Sequence, residues 1–135
     1  MIKLGHLLLV DDDPTTNFFN RHLLERMDVC EVIHEAGNGQ EALDKIEELR
    51  LLGEAPDLIL LDINMPIMNG FEFLDNYANL DQKIRESVVI CMLTTSLAQS
   101  DLDRSNEFAV LNDYIDKPLS EVKVRDLMQT YFGEK

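Results

Sequence analysis

The sequence predicts an α/β fold, a doubly wound five-stranded parallel sheet with helices on both of its faces. Short apolar runs bounded by turn residues alternate with helical patterns along the 135-residue chain. The runs are mostly continuous, which is typical of strands that are buried on both faces. Strands that alternate with helices indicate a parallel sheet whose strands are joined by helical crossovers. A chain of this length with 45% hydrophobic residues can bury a core as one domain.

The apolar runs place the predicted strands at residues 7–10, 29–33, 58–61, 88–93 and, more weakly, 114–115. Five helical patterns accompany them, at residues 14–27, 40–52, 69–78 and 99–108 and after Ser120. The first helix begins with Asp13-Pro14, a favourable N-cap and first helical residue, and Ser120 is the predicted cap of the last. Residues 50–56 and 79–87 are the predicted surface loops.

Apolar residues spaced three or four apart predict which side of each helix faces the sheet. The stripes are Phe19, Leu23 and Met27 in the first helix, Ala42, Ile46 and Leu49 in the second, Phe71, Leu74 and Ala78 in the third, and Val124, Leu127, Met128 and Tyr131 in the last. The fourth pattern is the poorest, since only Leu102, Phe108 and Ala109 offer apolar anchors. This weak stripe predicts a movable element of low stability.

The charge balance restricts the partners that the chain can bind. It has 12 Lys and Arg against 26 Asp and Glu, a formal net charge of −14. Nucleic acids and anionic membranes both require clustered basic side chains, which this sequence lacks. No apolar stretch approaches the roughly 20 residues of a membrane span, and we expect no targeting segment. The composition favours a basic patch on a partner protein, or a cation such as Mg²⁺.

The cysteines and histidines offer no sign of a disulfide framework or a zinc site. Cys30 and Cys91 lie inside apolar runs, which predicts two buried, reduced thiols. Together with the expected lack of a targeting segment, this predicts a cytoplasmic protein. His6, His22 and His34 are scattered along the chain, without the spacing that zinc ligands show.

Polar side chains stand at the ends of four predicted strands. They are Asp11, Asp12 and Asp13 after the first strand, Asp62 after the third, Thr94 after the fourth and Lys117 after the fifth. In open α/β sheets, ligands bind at the carboxyl ends of the strands. Each residue alone has an ordinary explanation as a cap, a turn residue or a surface lysine. Their joint placement on one edge favours a functional site.

This set of side chains suits the transfer of a phosphoryl group. Clustered carboxylates repel one another unless a cation or a proton lies between them, and oxygen ligands favour Mg²⁺. A lysine and a threonine hydroxyl can pair with phosphoryl oxygens. An aspartate can act as a nucleophile and become an aspartyl phosphate, which makes Asp62 the candidate acceptor.

Five segments that contain these residues resemble the receiver domain of two-component response regulators, of the small single-domain kind also found in chemotaxis. They are LLVDDD at residues 8–13, AGNGQEAL at 36–43, DLILLDINMPIMNG at 57–70, MLTTS at 92–96 and DYIDKP at 113–118. They occur in the family's order and cover nearly the whole chain. The Asp-x-x-Met-Pro-x-x-x-Gly block with a downstream Lys-Pro is highly specific. The resemblance implies a flavodoxin-like fold with strand order 2-1-3-4-5 and five helices.

The resemblance also implies a role for individual residues. Asp62 matches the phosphoacceptor. The Mg²⁺ ligands are matched by Asp11, Asp12, Asp62 and the backbone carbonyl of Asn64. Contacts of the phosphoryl group are matched by Thr94 and Lys117, and Tyr114 matches the aromatic residue that changes rotamer as Thr94 moves. Asp12 is the implied direct ligand, whereas Asp11 acts more through water. The Lys117–Pro118 peptide bond is expected to be cis.

Several positions depart from the family pattern or have an ordinary structural interpretation. Thr95 stands where a smaller residue is commoner, and residues 108–112 replace a Gly-Ala pair before the fifth strand. Asp13 is interpreted as the N-cap of the first helix. Strand alternation predicts that Asp116 faces solvent.

The function implied is a phosphorylation switch, not an enzyme with a separate substrate. A histidine kinase or a histidine phosphotransfer protein phosphorylates Asp62 with Mg²⁺ as cofactor, and the fourth helix, fifth strand and last helix change conformation. Self-catalysed hydrolysis follows, at a rate that depends partly on Asn64 and Ser96. We expect one receiver domain over residues 1–135 without an output domain, a monomer or weak dimer that signals through an unknown protein target or onward phosphotransfer.

Three alternatives use parts of the same pattern. A phosphatase of the haloacid-dehalogenase type carries a second aspartate two residues after the nucleophile, where this chain has Asn64. A flavin-binding flavodoxin needs Gly, Ser or Thr where this chain has Asp11, Asp12 and Asp13. The third is a receiver-like binding module that works without phosphorylation; such forms usually lack an acid, the threonine or the lysine, all of which this sequence retains.

Overall fold

A computed structural model of the chain describes residues 3–85, 88–95 and 98–133. The strands are β1 (Leu4–Val10), β2 (Cys30–Ala36), β3 (Leu58–Leu61), β4 (Val89–Thr94) and β5 (Asp113–Asp116). The helices are α1 (Pro14–Met27), α2 (Gly39–Leu51), α3 (Gly70–Ala78), α4 (Gln82–Arg85), α5 (Gln99–Ser105) and α6 (Glu121–Phe132). None of the helices in the described ranges is long and apolar enough to cross a membrane.

The strands form one parallel sheet in the order β2-β1-β3-β4-β5. This order confirms the doubly wound, flavodoxin-like topology that the sequence predicts. All four residues of the central strand β3 are buried, as the continuous apolar run Leu58–Leu61 indicates. The strand order reverses between β1 and β3, which is the position where such sheets bind their ligands.

Each face of the sheet has its own hydrophobic core. One core joins Leu7 and Leu9 of β1 to Leu24 of α1 and Leu127 of α6, and the other joins Leu8 and Val10 to Ile46 of α2 and Leu74 of α3. Both cysteines are free thiols. Cys91 is buried as predicted, whereas Cys30 is only half-buried, because it lies on the edge strand β2.

Side-chain caps define where four of the helices begin. Asp13 accepts a hydrogen bond from the backbone of α1, and Ser120 does the same for α6, so both predicted caps are confirmed. Asn38 and Asn69 cap α2 and α3 in the same way. In contrast, α5 follows Ala98 and has no side-chain cap.

Two predictions about helix boundaries are wrong. The predicted loop at 79–87 contains the short helix α4, which raises the number of helices from five to six. Asp81 starts this turn by accepting from the backbone N of Lys83, and Ile84 packs against the second core. The predicted helix 99–108 ends at Ser105, since Phe108 leaves it to stack on Phe71 with 6.0 Å between ring centroids.

The predicted apolar stripe of α1 is also wrong in part. Phe19 is 64% exposed, and the buried residues of this helix are Asn17, Asn20 and Leu24. The buried face of α1 is therefore polar over its first half. The reason is that this half covers the carboxyl end of β1, where polar groups must be satisfied.

The other stripes agree more closely with the sequence. Those of α2 and α6 are confirmed, with Tyr131 half-buried at the end of the last helix. In α3, Phe71 and Leu74 are buried as predicted but Ala78 is exposed. The bulkier Phe73 and Tyr77 fill the buried side of α3 in its place.

Candidate functional site

The sheet brings the predicted site residues to its carboxyl edge. Val10 of β1 pairs in register with the last residue of β3, so Asp11 and Asp62 follow matched positions on adjacent strands. The backbone N of Asp62 donates to the carbonyl of Val10 at 2.9 Å. On the other side, the backbone N of Lys117 donates to the carbonyl of Thr94 at 2.8 Å. Four strand ends thus form one rim.

Lys117 contacts two carboxylates at this rim. Its Nζ lies 2.7 Å from Oδ2 of Asp11 and 3.4 Å from Oδ1 of Asp62. The side chains of Lys117, Asp11 and Asp62 are only 18%, 7% and 11% exposed. The second oxygen of Asp11 accepts from the backbone N of Asp13 at 2.9 Å. Both oxygens of Asp11 are therefore engaged.

Burial and charge act against each other in this group. Burial raises the pKa of Asp62 and the charge of Asp11 raises it further, which outweighs the lowering by Lys117. Burial lowers the pKa of Lys117, but the hydrogen bond to Asp11 and the charge of Asp62 outweigh it, so that pKa is raised. One ammonium faces two buried carboxylates, which leaves an excess of negative charge.

Asp11, Asp12 and Asp62 form an acidic cluster. Each offers one carboxylate oxygen, and these oxygens lie within 4.8 Å of one another. Asp12 is exposed, whereas the other two are largely buried. Hard oxygen donors with an open side are what Mg²⁺ prefers, because it keeps several of its waters. Three carboxylates against one ammonium can accommodate a divalent cation, so the cluster fits a Mg²⁺ site.

The remaining predicted site residues differ in how deeply they are buried. Thr94 is 1% exposed at the end of β4, and Tyr114 is half-buried against the second core. Asn64 is exposed in the loop after β3. Thr95 is exposed beside Thr94, and Ser96 lies outside the described residues.

Two further sequence predictions at the fifth strand are confirmed. The Lys117–Pro118 peptide bond is cis. Asp116 is exposed, with its carboxylate 3.5 Å from Nζ of Lys123 on α6. Before β5, Asn112 takes part in the sheet, since its backbone N donates to the carbonyl of Ile90 and its side chain accepts from the N of Ile90.

Gly70 closes the loop that follows Asp62. Its backbone N donates to the carbonyl of Ile63 at 2.8 Å. A Cβ at this position would lie 2.4 Å from the carbonyl oxygen of Asp62 and 3.0 Å from the Cα of Ile63. Only glycine allows helix α3 to begin this close to the residue at the centre of the site.

Asn17 and Asn20 are site residues that the sequence analysis missed. Nδ2 of Asn17 donates to the backbone carbonyl of Asp11 at 2.9 Å, and both asparagines are buried. The available signal was their spacing, because positions 17, 20 and 24 form a helical stripe. Asparagine is usually exposed, which favoured the apolar stripe instead.

A histidine pair was also missed. Nδ1 of His6 and Nε2 of His34 lie 3.0 Å apart on neighbouring strands. Their ring centroids are 5.3 Å apart with an 18° angle between the planes. The pair lies toward the amino end of β1, away from the acidic cluster. Parallel pairing of β1 with β2 brings these two of the three scattered histidines together.

The fold and the site together define an α/β domain with a lysine-bridged acidic site at the switch point of a flavodoxin-like sheet. Residues 7–129 match the family described as the response regulator receiver domain. The chain belongs to this family, as the sequence resemblance indicates.

Known proteins similar to the chain include both isolated receivers and longer proteins. A two-component response regulator from Cytophaga hutchinsonii superposes with a TM-score of 0.88 at 30% identity, covering 98% of this chain and 99% of that one. The chemotaxis protein CheY4 of Vibrio cholerae gives 0.78 at 26% identity, covering 96% and 99%. A protein-glutamate methylesterase/protein-glutamine glutaminase of Syntrophomonas wolfei is 31% identical over 121 residues, 87% of this chain and 31% of that protein. The chain spans less than a third of that relative.

Proposed function

We propose that the chain is a phosphorylation-activated switch in which Asp62 accepts a phosphoryl group. The observation that carries this proposal is the contact of Lys117 with both Asp11 and Asp62 at the rim of the sheet. An ammonium in this position can pair with a phosphoryl oxygen once Asp62 carries the phosphoryl group as an acyl phosphate. Membership of the receiver family supports the same conclusion.

The phosphoryl donor is a phosphohistidine of a histidine kinase or a histidine phosphotransfer protein. A carboxylate oxygen of Asp62 attacks phosphorus, so that an O–P bond forms. The P–N bond of the donor breaks, and its electron pair stays on the imidazole nitrogen. Lys117 neutralises part of the charge on the transferred group. The later self-catalysed hydrolysis depends in part on Asn64 and Ser96.

Mg²⁺ is the cofactor, and four residues would hold it. The carboxylates of Asp11, Asp12 and Asp62 and the backbone carbonyl of Asn64 are the proposed ligands. Asp12 is exposed and free to bind directly. Asp11 is engaged by Lys117 and by a backbone amide, which favours contact through water. When bound, Mg²⁺ neutralises charge on the phosphoryl oxygens.

Thr94 and Tyr114 transmit the effect of phosphorylation at Asp62 to neighbouring elements of the domain. The buried hydroxyl of Thr94 moves to donate to a phosphoryl oxygen, and Tyr114 changes rotamer as it moves. Helix α5 is suited to respond, because it has seven residues, lacks a side-chain cap and buries only Ser105. The phosphoryl group thereby biases a two-state equilibrium of α5, β5 and α6.

The output is a contact with a protein target, or onward phosphotransfer. Charged surface residues of α6 contribute to the choice of partner, among them the exposed Arg125 and the half-buried Glu121 and Lys123. The receiver acts in this role as a monomer or weak dimer, without a separate substrate.

Intact-protein mass spectrometry after incubation with acetyl phosphate tests the proposal. Wild type should gain one phosphoryl group with Mg²⁺ and none with EDTA. Asp62→Asn should gain none, whereas Asp116→Asn, which removes an exposed carboxylate next to the site, should behave like wild type. If acetyl phosphate gives no gain, the assay is repeated with a phosphohistidine donor, because Thr95 stands where a smaller residue is commoner in the family and can restrict access to Asp62. No gain from either donor would overturn the switch in favour of a phosphorylation-independent binding module.

A further inference from the structure

A small cavity lies beneath the acidic cluster, between α1 and the sheet. Its volume is about 10 Å³. Four of its lining residues are polar, namely Asp11, Asn17, Asn20 and Asp62, and the others are apolar residues of β1, β3 and β4. A polar cavity of this size has room for about one water molecule.

The orientation of the Asn17 amide follows from its contact with Asp11. Nδ2 donates to the backbone carbonyl of Asp11, which can only accept, so turning the amide over would place two acceptors together. Oδ1 therefore faces away from this carbonyl. Asn17 is 5% exposed, and among the described residues none donates to its Oδ1. A buried amide oxygen without a donor is unfavourable, and the adjoining cavity is where a donor can lie.

We propose that one buried water occupies this cavity and that Asn17 is a positioning residue which acts through it on Asp62. The water donates to Oδ1 of Asn17 and to a carboxylate oxygen of Asp62, and it accepts from the side chain of Asn20. Asp62 is the partner because the oxygens of Asp11 already accept close hydrogen bonds, at 2.7 Å from Lys117 and at 2.9 Å from the backbone N of Asp13, whereas Lys117 lies 3.4 Å from Asp62.

The consequence concerns both carboxylates of the cluster, and it rests on the proposed Mg²⁺-dependent function. Asn17 fixes the backbone at Asp11 directly, and through the water it holds the carboxylate of Asp62 from below. Without the amide, each carboxylate samples more orientations, and Mg²⁺ then has to order them on binding. Loss of Asn17 should therefore weaken Mg²⁺ binding more than its effect on overall stability explains.

The test compares wild type with Asn17→Leu and Leu24→Ala. Leucine has a similar size but neither donates nor accepts a hydrogen bond. Leu24 is 1% exposed on the same helix and does not line the cavity, so its truncation controls for destabilisation alone. High-resolution crystal structures report the water, and isothermal titration calorimetry with MgCl₂ reports the affinity.

We expect the water in wild type and Leu24→Ala and its absence in Asn17→Leu. Mg²⁺ affinity should fall roughly fivefold or more in Asn17→Leu, the size of one lost hydrogen bond, and stay within about twofold in Leu24→Ala. A dry cavity in wild type, unchanged affinity in Asn17→Leu, or equal losses in both variants would overturn the proposal. If the water and the affinity difference are present but wild type accepts no phosphoryl group, the proposed switch fails and the positioning role stands.

Discussion

For the replacement of Gly70 with alanine, helix propensity and the geometry of the site predict opposite changes in stability. Alanine is the better helix former by up to about 1 kcal/mol, so propensity alone predicts that Gly70→Ala stabilises α3. The structure predicts the opposite. The new Cβ would lie 2.4 Å from the carbonyl oxygen of Asp62, about 1 Å closer than the 3.4 Å of ordinary contact. The neighbouring atoms are backbone, which cannot rotate out of the way as a flexible side chain can.

The expected magnitudes follow from that displacement. Overpacking of this kind costs about 1–3 kcal/mol of the free energy of unfolding. The backbone N of Asp62 is tied to Val10 at 2.9 Å, so the strain falls on the carbonyl side and turns the carboxylate. A shift of about 1 Å in a reacting group can slow a reaction roughly 100-fold. We therefore expect phosphorylation by acetyl phosphate to slow by about that factor.

Urea denaturation followed by circular dichroism measures the first effect, and the initial rate of phosphoryl incorporation measures the second. Gly5→Ala is the matched control, because its Cβ would approach nothing closer than 3.4 Å. This control should retain wild-type stability within about 1 kcal/mol and the wild-type rate. A Gly70→Ala protein as stable as wild type would refute the packing argument, and normal phosphorylation in a destabilised variant would refute the coupling to Asp62.

Three further predictions concern charge, backbone strain and pH. Without Mg²⁺ at neutral pH, Asp62→Asn should raise stability by on the order of 1 kcal/mol. Burial and the charge of Asp11 raise the pKa of Asp62, so ionisation of this carboxyl lowers the stability of the wild type as pH rises through the folded-state pKa. Urea denaturation midpoints across pH check this prediction. A stability gain of Asp62→Asn that persists at pH 3 would contradict it. Ile67→Asn should raise the free energy of unfolding by about 1 kcal/mol, because Ile67 is 82% exposed and has a φ of 68° that β-branched residues disfavour. Thermal denaturation measures this gain, and a lower melting temperature would count against the prediction. Burial is the main cause, and the charge of His6 the second, of a pKa of His34 below its ordinary value of 6.5. The free energy of unfolding should therefore fall as pH drops below about 6.5. His34→Gln should make this dependence of stability on pH weaker.

Most of the fold could be predicted from the sequence because the signals for strands and helices are local. Continuous apolar runs, a cap such as Asp13 and breaks in periodicity involve residues adjacent in the chain, and they located all five strands and five of the six helices. The errors occur where tertiary contacts compete with local preference. Phe108 leaves the predicted helix to stack on Phe71, and Ile84 orders a turn inside a predicted loop.

The candidate site was predictable for a related reason. Parallel strands present their carboxyl ends at one edge, so residues that follow the strands must meet there. The sequence alone could therefore place four residues together at this edge, namely Asp11, Asp62, Thr94 and Lys117. Their chemical roles remain proposals, and the sequence contained no information on which carboxylate Lys117 contacts or how deeply each is buried.

By itself, the sequence determined the doubly wound sheet, the residues at its carboxyl edge and the family, because these depend on composition and order along the chain. Only the tertiary structure decided the rotation of α1, which buries Asn17 and exposes Phe19. It also decided the 3.0 Å contact between His6 and His34. The physical reason is that a helix orients to satisfy the groups beneath it. Those groups come from distant parts of the chain and can be identified only once the strands are paired.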